Sequence, residues 1–395
     1  MRSFIAGLVG LMLILWLCAA NVGQVSAAPG DLLYTYPNPE PHSNDYFGCK
    51  VAGVGNNPLI GAYGSDQAGI DAGAAYLLNR NDGTVLNKWY GAAAGDGFGY
   101  SVAARGNDVL VGAPYANGTA GGAYIYDGST CQSKFPIVNP TPNPNEMFGS
   151  CVAAMGNNIL VGAQWDNSRG AALEGAVYLY DGTSGAWLHT FQPPVIGARQ
   201  YFGQSVSAVG SNKVLIGAQC DNTHGYDSGA AYLYTFDEYT STWNDANPKT
   251  IYEPMPHVDG YFGRSVTALG NDLLISSYAH TYLFDGNTGA LENTFSPNGE
   301  VTTVGGNVLI TPTGGSGPQL YSGIAPYQLL WSGPGSGDAG AALGSDILVG
   351  SPSYEGGIGI AYLYEGVPEP STLVLLGAGA ISLLAYVWGR RKVAA

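Results

Sequence analysis

The sequence predicts an all-β fold, a closed seven-bladed β-propeller, over residues 28–366. Two observations predict it: one pattern of short strands occurs seven times, and a single unpaired strand before the first copy matches the strand that the last copy lacks. The composition agrees, because 60 glycines, 27 tyrosines and only 11% charged residues are typical of short strands joined by tight turns. An internal repeat takes precedence over length when domains are counted.

The repeat is aligned on an apolar strand that carries one leucine in each copy. Successive leucines are 35 to 59 residues apart, and even 35 residues hold four short strands with their turns. The seven positions are Leu59, Leu110, Leu160, Leu215, Leu274, Leu309 and Leu348. A Phe-Gly pair marks five of the copies, at Phe47, Phe98, Phe148, Phe202 and Phe262.

Each copy is predicted to form four strands. The first, such as 101–104, has small side chains that suit strands crowded around a common axis. The second, such as 109–111, is apolar at consecutive positions and therefore needs cover on both faces. The third, such as 124–126, alternates tyrosine with an apolar residue. The fourth, such as 187–191, is mixed in character and suits an outer edge.

The connections divide the fold into two faces. Tight turns join the first and second strands, and their glycines supply the positive φ angles of a short hairpin. These are Gly55, Gly106, Gly156, Gly210, Gly270, Gly306 and Gly344. Successive antiparallel strands put these turns and the Asp-Gly turns after the third strand on one face, the short-turn face. The longer connections lie on the opposite face, the long-loop face, which is the expected binding surface.

The two ends of the repeat region decide between an open array and a ring. The seventh copy ends with its third strand at Tyr364, whereas the segment 32–36 before the first copy resembles the fourth strands of other copies. We therefore expect this N-terminal strand to complete the last blade and close the ring. A β-sandwich is the rival fold, but seven copies of one four-strand pattern argue against it.

The charge of the repeat region excludes one class of partner. The whole chain has 14 basic and 29 acidic residues, of which four basic residues and one acidic residue lie in the two ends. The region between them therefore has 10 basic and 28 acidic residues, a formal charge of −18. Nucleic-acid binding requires a basic surface, so no nucleic-acid partner is expected.

The first 27 residues have the pattern of a cleaved secretory signal. Arg2 precedes an apolar run, and small residues end the segment at Ala27, after which we expect signal peptidase to cut. A lipoprotein is the alternative, because Cys18 lies in the apolar run. Leu17 directly before it is too bulky for the usual lipid-attachment site.

The last 29 residues, 367–395, resemble a sorting signal. The motif Val367, Pro368, Glu369, Pro370 is followed by an apolar run over 372–389 and then by the basic end Arg390, Arg391, Lys392. A helix of these 18 residues is roughly 27 Å long, just enough for a transmembrane helix, and its basic end should stay cytoplasmic. A plain C-terminal anchor is the simpler interpretation. The order of the three parts resembles the PEP-CTERM signal, which implies a bacterial protein, recognition by an exosortase and processing after transient anchoring in the membrane.

The repeats resemble the FG-GAP repeats of integrin α-subunit propellers and, more closely, their bacterial form with Gly-Asn turns. Only 111–114, Val-Gly-Ala-Pro, keeps the whole Gly-Ala-Pro ending. Integrin-type calcium loops are replaced here by two- or three-residue turns, so that calcium site does not carry over. The resemblance covers residues 31–366 and implies a fold more than a function.

Other candidate site residues lie in the longer connections. Oxygen ligands for calcium are available at Asp66, Asp71, Asp166, Asn167, Asp221, Asn222 and Asp227, although their spacing fits no established loop and solvated polar turns are the commoner explanation. We therefore expect no cofactor, with calcium as the alternative. Three tyrosines precede Phe-Gly pairs and could stack on sugars or pack between blades: Tyr46, Tyr201 and Tyr261.

Catalytic patterns are absent from the sequence. The five histidines occupy unrelated repeat positions, at His42, His189, His224, His257 and His280. No metalloprotease motif or nucleophile elbow is present, so we expect no enzymatic activity. Four thiols remain after signal removal, at Cys49, Cys131, Cys151 and Cys220, and they allow three disulfide pairings or none.

The function expected from these features is that of an exported, noncatalytic cell-surface or extracellular-matrix protein. Its propeller would bind a polysaccharide or another protein through the long-loop face. A secreted lyase or hydrolase acting on matrix polymers is the first alternative and would need a convergent acid/base cluster. A purely structural matrix component is the second.

Overall fold

A computed structural model describes residues 28–312, 316–335 and 337–366. These residues form seven antiparallel sheets of short strands, so the predicted seven-bladed propeller of four-stranded blades is confirmed. No helix in this part of the chain is long and apolar enough to cross a membrane. The signal segment 1–27 and the predicted helix 372–389 lie outside the described residues and stay predictions.

Each blade has its strands in chain order from the axis outward. Blade one is β2 (Val51–Val54), β3 (Asn57–Ala62), β4 (Ala74–Leu78), β5 (Val85–Tyr90). Blade two is β6 (Ser101–Arg105), β7 (Asp108–Ala113), β8 (Gly122–Asp127), β9 (Ser133–Ile137). Blade three is β10 (Phe148–Met155), β11 (Asn158–Ala163), β12 (Ala176–Tyr180), β13 (Trp187–Phe191). Blade four is β14 (Phe202–Val209), β15 (Lys213–Ala218), β16 (Ala230–Asp237), β17 (Thr242–Trp243), β18 (Lys249–Ile251).

The remaining three blades follow the same order. Blade five is β19 (Ser265–Leu269), β20 (Asp272–Ser276), β21 (Thr281–Phe284), β22 (Leu291–Phe295). Blade six is β23 (Glu300–Val304), β24 (Asn307–Thr311), β25 (Gln319–Tyr321), β26 (Leu329–Ser332). Blade seven is β27 (Ala339–Leu343), β28 (Asp346–Ser351), β29 (Ile360–Tyr364) with β1 (Leu32–Pro37) as its outer strand.

The N-terminal strand β1 lies antiparallel to β29. Leu32 is opposite Tyr364 and Pro37 is opposite Ile360. The pairing continues past the strands, because the amide of Gly30 donates to the carbonyl of Glu365 at 2.8 Å. Each innermost strand also contacts the next one around the axis, and β27 contacts β2. Among the described residues, β1 thus takes the outer position of blade seven.

The Phe-Gly pair forms the backbone contact between neighbouring blades. Phe98 of blade two pairs with Gly73 of blade one in an isolated parallel bridge. Gly99 has φ +88°, and a Cβ there would lie 2.1 Å from the carbonyl oxygen of Ala74. Gly61 is the glycine of the Gly-Ala element in blade one. A Cβ added at Gly61 would likewise lie 2.2 Å from the carbonyl oxygen of Gly99. The same bridge occurs at Phe47, Phe148, Phe202 and Phe262.

The core is divided into seven clusters of buried apolar residues, one between each pair of neighbouring blades. Five clusters contain 11 to 14 buried members among the described residues. The clusters on either side of blade six contain six each. These two seams are also the ones without a Phe-Gly pair, because blades six and seven lack it.

The outer strands share a β-bulge that the sequence did not reveal. One extra residue stands between two paired positions in every blade except blade four. The residue at this position is Leu33, Leu86, Lys134, Leu188, Glu292 or Leu330. A bulge redirects the side chain of the extra residue. The residue type at this position therefore varies while the strand pairing of the blade stays the same.

Candidate functional site

The long-loop face surrounds the mouth of the central channel, where the innermost strands begin. A cavity of about 400 Å³ lies there and is lined by residues of all seven blades. Its polar lining consists of Lys50, Ser101, Ser150, Gln164, Gln204, Ser205, Gln219, Arg264, Ser265, Glu300 and Asp338. This volume falls within the range of small-ligand sites.

Four charged side chains stand on one half of the channel mouth. Lys50 Nζ lies 2.6 Å from Glu300 Oε2. This ion pair joins blade one to blade six and passes in front of blade seven, which lies between them. The Arg264 side chain has no hydrogen bond or ion pair with the described residues, and burial lowers its pKa. Burial raises the pKa of the Asp338 carboxyl. Blades two to four contribute only uncharged polar groups, so the mouth has a charged half and a neutral half.

A row of four tyrosines extends from the neutral half of the mouth across blades one and two. The Tyr46 and Tyr63 rings are stacked, with centroids 4.9 Å apart and an interplanar angle of 7°. Tyr63 and Tyr100 are 5.5 Å apart, and Tyr100 and Tyr115 are 6.0 Å apart. Tyr100 also lines the channel-mouth cavity. Burial raises the pKa of Tyr63 and Tyr100, so both hydroxyls stay protonated and able to donate.

The tyrosines predicted as sugar-stacking candidates are thus only partly brought together. Tyr46 belongs to the row, whereas Tyr201 lies in blade four with its ring centroid 6.5 Å from Trp165. Tyr261 is half-buried in the entry to blade five. Tyr63, Tyr100 and Tyr115 were missed because they occupy three different repeat positions, which an alignment of like positions does not connect.

Most of the calcium candidates use their oxygens inside the protein. Asp166 Oδ2 accepts a hydrogen bond from the Tyr178 hydroxyl, and its Oδ1 accepts from the Ser168 amide at 2.9 Å. In blade four, Asp221 Oδ2 accepts from the Tyr232 hydroxyl at 2.7 Å. These carboxylates hold the long loops onto the third strands, a role that the sequence did not indicate.

The other candidates stabilise turns. Asp66 Oδ1 accepts from the Asp71 amide at 2.8 Å, and Asn222 Oδ1 accepts from the Asp227 amide at 2.7 Å. Asn167 is exposed. Among the described residues, one group of three carboxylates has its oxygens within 4.8 Å of one another, and it lies on the short-turn face of blade five. It consists of Asp272, Asp285 and Glu292 and includes none of the candidates.

The histidines lie apart from one another. His189 Nε2 is 2.9 Å from Asp245 Oδ1, and His257 Nδ1 is 3.1 Å from Glu253 Oε2. The rings of His224 and His280 contact Tyr252 and Tyr282, while His42 contacts Gln67. Cys49, Cys131, Cys151 and Cys220 are free thiols. The sorting residues Val367, Pro368, Glu369, Pro370, Arg390, Arg391 and Lys392 and the cleavage residue Ala27 lie outside the described residues.

A ring of seven four-stranded sheets around a polar channel defines a β-propeller protein. In fold, the chain is similar to one chain of a solved structure described as "Crystal Structure of Mitotic Checkpoint Complex". The TM-score is 0.57 and the identity 12%, over 88% of this chain and 94% of that one. At this identity the likeness shows the fold alone. No curated protein matches the sequence.

Family models identify the repeats and the tail. The FG-GAP repeat model matches residues 39–78, 90–126, 139–180 and 194–234, which cover the first three strands of blades one to four. The PEP-CTERM protein-sorting motif matches residues 366–392. The chain therefore carries FG-GAP repeats in blades one to four of its β-propeller and a PEP-CTERM sorting motif after blade seven. This motif implies export and sorting to the cell surface.

Proposed function

We propose that this protein is a noncatalytic binding protein of the cell surface or extracellular matrix, whose propeller binds a polysaccharide through the long-loop face. The observation that carries the proposal is the tyrosine row beside the polar channel mouth. A sugar ring offers an apolar face that packs on aromatic side chains and hydroxyls that pair with polar ones. Tyrosine supplies both an apolar surface and a polar end.

The uncharged half of the mouth supports a sugar rather than a charged ligand. Tyr100 lies at the point where the row meets Gln164, Gln204 and three serines. Amides and hydroxyls both donate and accept, which suits the hydroxyls of a sugar. A rigid scaffold that holds these groups in place lowers the entropy cost of binding.

The experiment is a glycan array with residues 28–366, with and without calcium, followed by affinity measurement on the best glycan. Tyr100→Ala and Tyr115→Ala should each weaken binding by roughly 2- to 13-fold, since losing an aromatic contact costs about 0.5–1.5 kcal/mol. Tyr239→Ala is the control, because Tyr239 is 97% exposed on the short-turn face. Absence of glycan binding in all conditions, or equal binding by all variants, would refute the proposal.

A second candidate is an enzyme that cleaves polysaccharides, and one observation favours it. Glu300 is paired with Lys50, whereas burial raises the pKa of Asp338 in the same cavity. Two carboxyl groups in such different environments are typical of acid/base pairs. Release of reducing ends from the bound glycan, abolished in Asp338→Asn and Glu300→Gln, would establish this activity. Intact glycan after prolonged incubation would support binding without catalysis.

We further propose that an exosortase recognises Pro368, Glu369 and Pro370 and processes the tail after export. Replacing the three residues with alanine should leave the protein in the membrane fraction of a host that has an exosortase. The unaltered chain should be released from that fraction in a shortened form. Equal release of both proteins would contradict this proposal without affecting the binding site.

A further inference from the structure

Blade four departs from the repeat on the short-turn face, opposite the proposed polysaccharide surface. In blades two, three and five an Asp-Gly turn follows the third strand, and the outer strand then contains the bulge. In blade four, β16 extends to Asp237, and residues 238–248 insert a short hairpin in which Phe236 pairs with Trp243. The outer strand β18 then pairs with β16 without a bulge. Insertions in repeat proteins often build the binding face.

The insertion packs against the outer strand of blade three. The Trp243 ring lies 4.7 Å from Phe191 and 5.8 Å from His189, nearly parallel to the latter at 27°. His189 Nε2 lies 2.9 Å from Asp245 Oδ1. These contacts fix the inserted hairpin relative to blade three.

A cavity of about 630 Å³ lies between the insertion and blade three. Its floor and walls are apolar and partly aromatic: Met155, Leu179, Leu188, Phe236 and Trp243. Its polar lining comes from both blades: Asn158 and His189 of blade three, and Ser211, Asn212, Glu238, Ser241, Thr242 and Asp245 of blade four. An apolar cavity with a few polar groups at its edge is the usual form of a small-molecule site.

The neighbouring grooves of the same face have a different character. Between blades two and three, Lys134 occupies the bulge position and its Nζ lies 2.5 Å from Asp108 Oδ1. Between blades four and five, Lys213 and Lys249 line the groove. The groove between blades three and four has Leu188 at the bulge position instead. The groove between blades three and four therefore combines an apolar bulge residue with the aromatic wall of the insertion, whereas lysines line the two neighbouring grooves.

We propose that this cavity is a second binding site, specific for a neutral sugar ring. Leu188, Phe236 and Trp243 would contact the apolar face of a pyranose, and the polar rim would pair with its hydroxyls. Acidic ligands are disfavoured because Glu238 and Asp245 stand at the rim and the repeat region carries a charge of −18. The site is independent of the proposed long-loop surface, since it lies on the opposite face.

The test uses residues 28–366 and a panel of neutral probes, the methyl glycosides and β-linked disaccharides of glucose, galactose and mannose. Saturation-transfer NMR and tryptophan fluorescence should detect binding, and Leu188→Lys should weaken it at least tenfold by placing a charged chain in the cavity. Lysine occupies the same bulge position in blade two, at Lys134. We therefore expect the Leu188→Lys variant to fold. Leu86→Lys is the matched control: Leu86 is 46% exposed at the bulge of blade one and Leu188 is 48% exposed.

The outcomes separate the two sites. Binding that is lost in Leu188→Lys and retained in Leu86→Lys and Tyr100→Ala would support the site. Absence of binding by every probe, or equal binding by Leu188→Lys and the unaltered protein, would overturn it. Binding that is lost only in Tyr100→Ala would also overturn it while supporting the long-loop surface. Thermal melts of Leu188→Lys and Leu86→Lys, which change exposed residues and should melt like the unaltered protein, show that the fold is unchanged.

Discussion

The seams around blade six and the other five seams of the ring are built differently. Five seams combine a Phe-Gly bridge with a cluster of 11 to 14 buried apolar residues. The two seams of blade six have no such bridge and only six buried residues each in the described chain. The repeated motif is therefore a device for joining blades, and its absence marks the part of the ring with the least apolar burial.

The largest effect on stability should follow from removing β1, because blade seven then lacks its outer strand. Deleting residues 28–37 removes Tyr36, which is fully buried in the seam between blades seven and one. We expect the free energy of unfolding to fall by roughly 5 kcal/mol or more, which approaches the total stability of many domains. Circular dichroism melts and size-exclusion chromatography measure it. Deletion of 28–30 alone is the control, and equal stability of both would show that β1 is dispensable.

Isoleucine truncations compare a rich seam with a poor one. Ile216 and Ile310 are both fully buried, in clusters of 13 and six members respectively. Ile216→Ala should cost about 4 kcal/mol and Ile310→Ala nearer 2, since a loosely packed site collapses more easily around a cavity. Denaturant titrations give both values. A larger loss for Ile310→Ala would mean that the blade-six seams are the tighter ones.

Alanine at Gly99 tests the close approach between blades. The substitution combines an unfavourable positive φ with a clash against the Ala74 carbonyl, and we expect a loss of about 3 kcal/mol. Gly106→Ala is the matched control, because Gly106 has φ +58° and open space around it, and should cost about 1 kcal/mol. Equal melting temperatures for the two variants would show that the positive φ alone, and not the close contact between blades, requires a glycine at position 99.

The smallest effect concerns local opening of the unaltered protein. Amides in β23 to β25 should exchange with deuterium faster than those in β10 to β12, because fewer buried contacts hold blade six. Hydrogen-exchange mass spectrometry on residues 28–366 measures both regions in one experiment. Uniform protection around the ring would contradict the difference in seam strength.

Much of the fold could be predicted from the sequence because the same four-strand pattern occurs seven times in it. The turn glycines, Gly106 among them, have the positive φ that a tight hairpin needs, and the segment 32–36 does lie beside β29. The Phe-Gly element indicated only the start of an inner strand. Its role between blades depends on Gly61 and Gly99, which are in different copies and meet only in three dimensions.

The candidate sites were predicted less well, and the reasons are physical. Asp166 and Asp221 have the residue type of calcium ligands, but each accepts a hydrogen bond from a tyrosine, 12 and 11 residues later in the chain respectively. The tyrosine row and the cavity beside Trp243 combine residues of two blades. No spacing within one copy of the repeat encodes such a combination.

The pairing of β1 with β29 also determines the face on which the described part of the chain begins and ends. Since β1 begins and β29 ends on the short-turn face, Gly366 delivers the sorting tail from that face. The tyrosine row therefore lies on the face opposite the start of the tail, and the cavity of blade four lies on the same face as that start. If both proposed sites bind sugars, a molecule released by cleavage of the tail would have binding sites on opposite faces and would bridge two polymers.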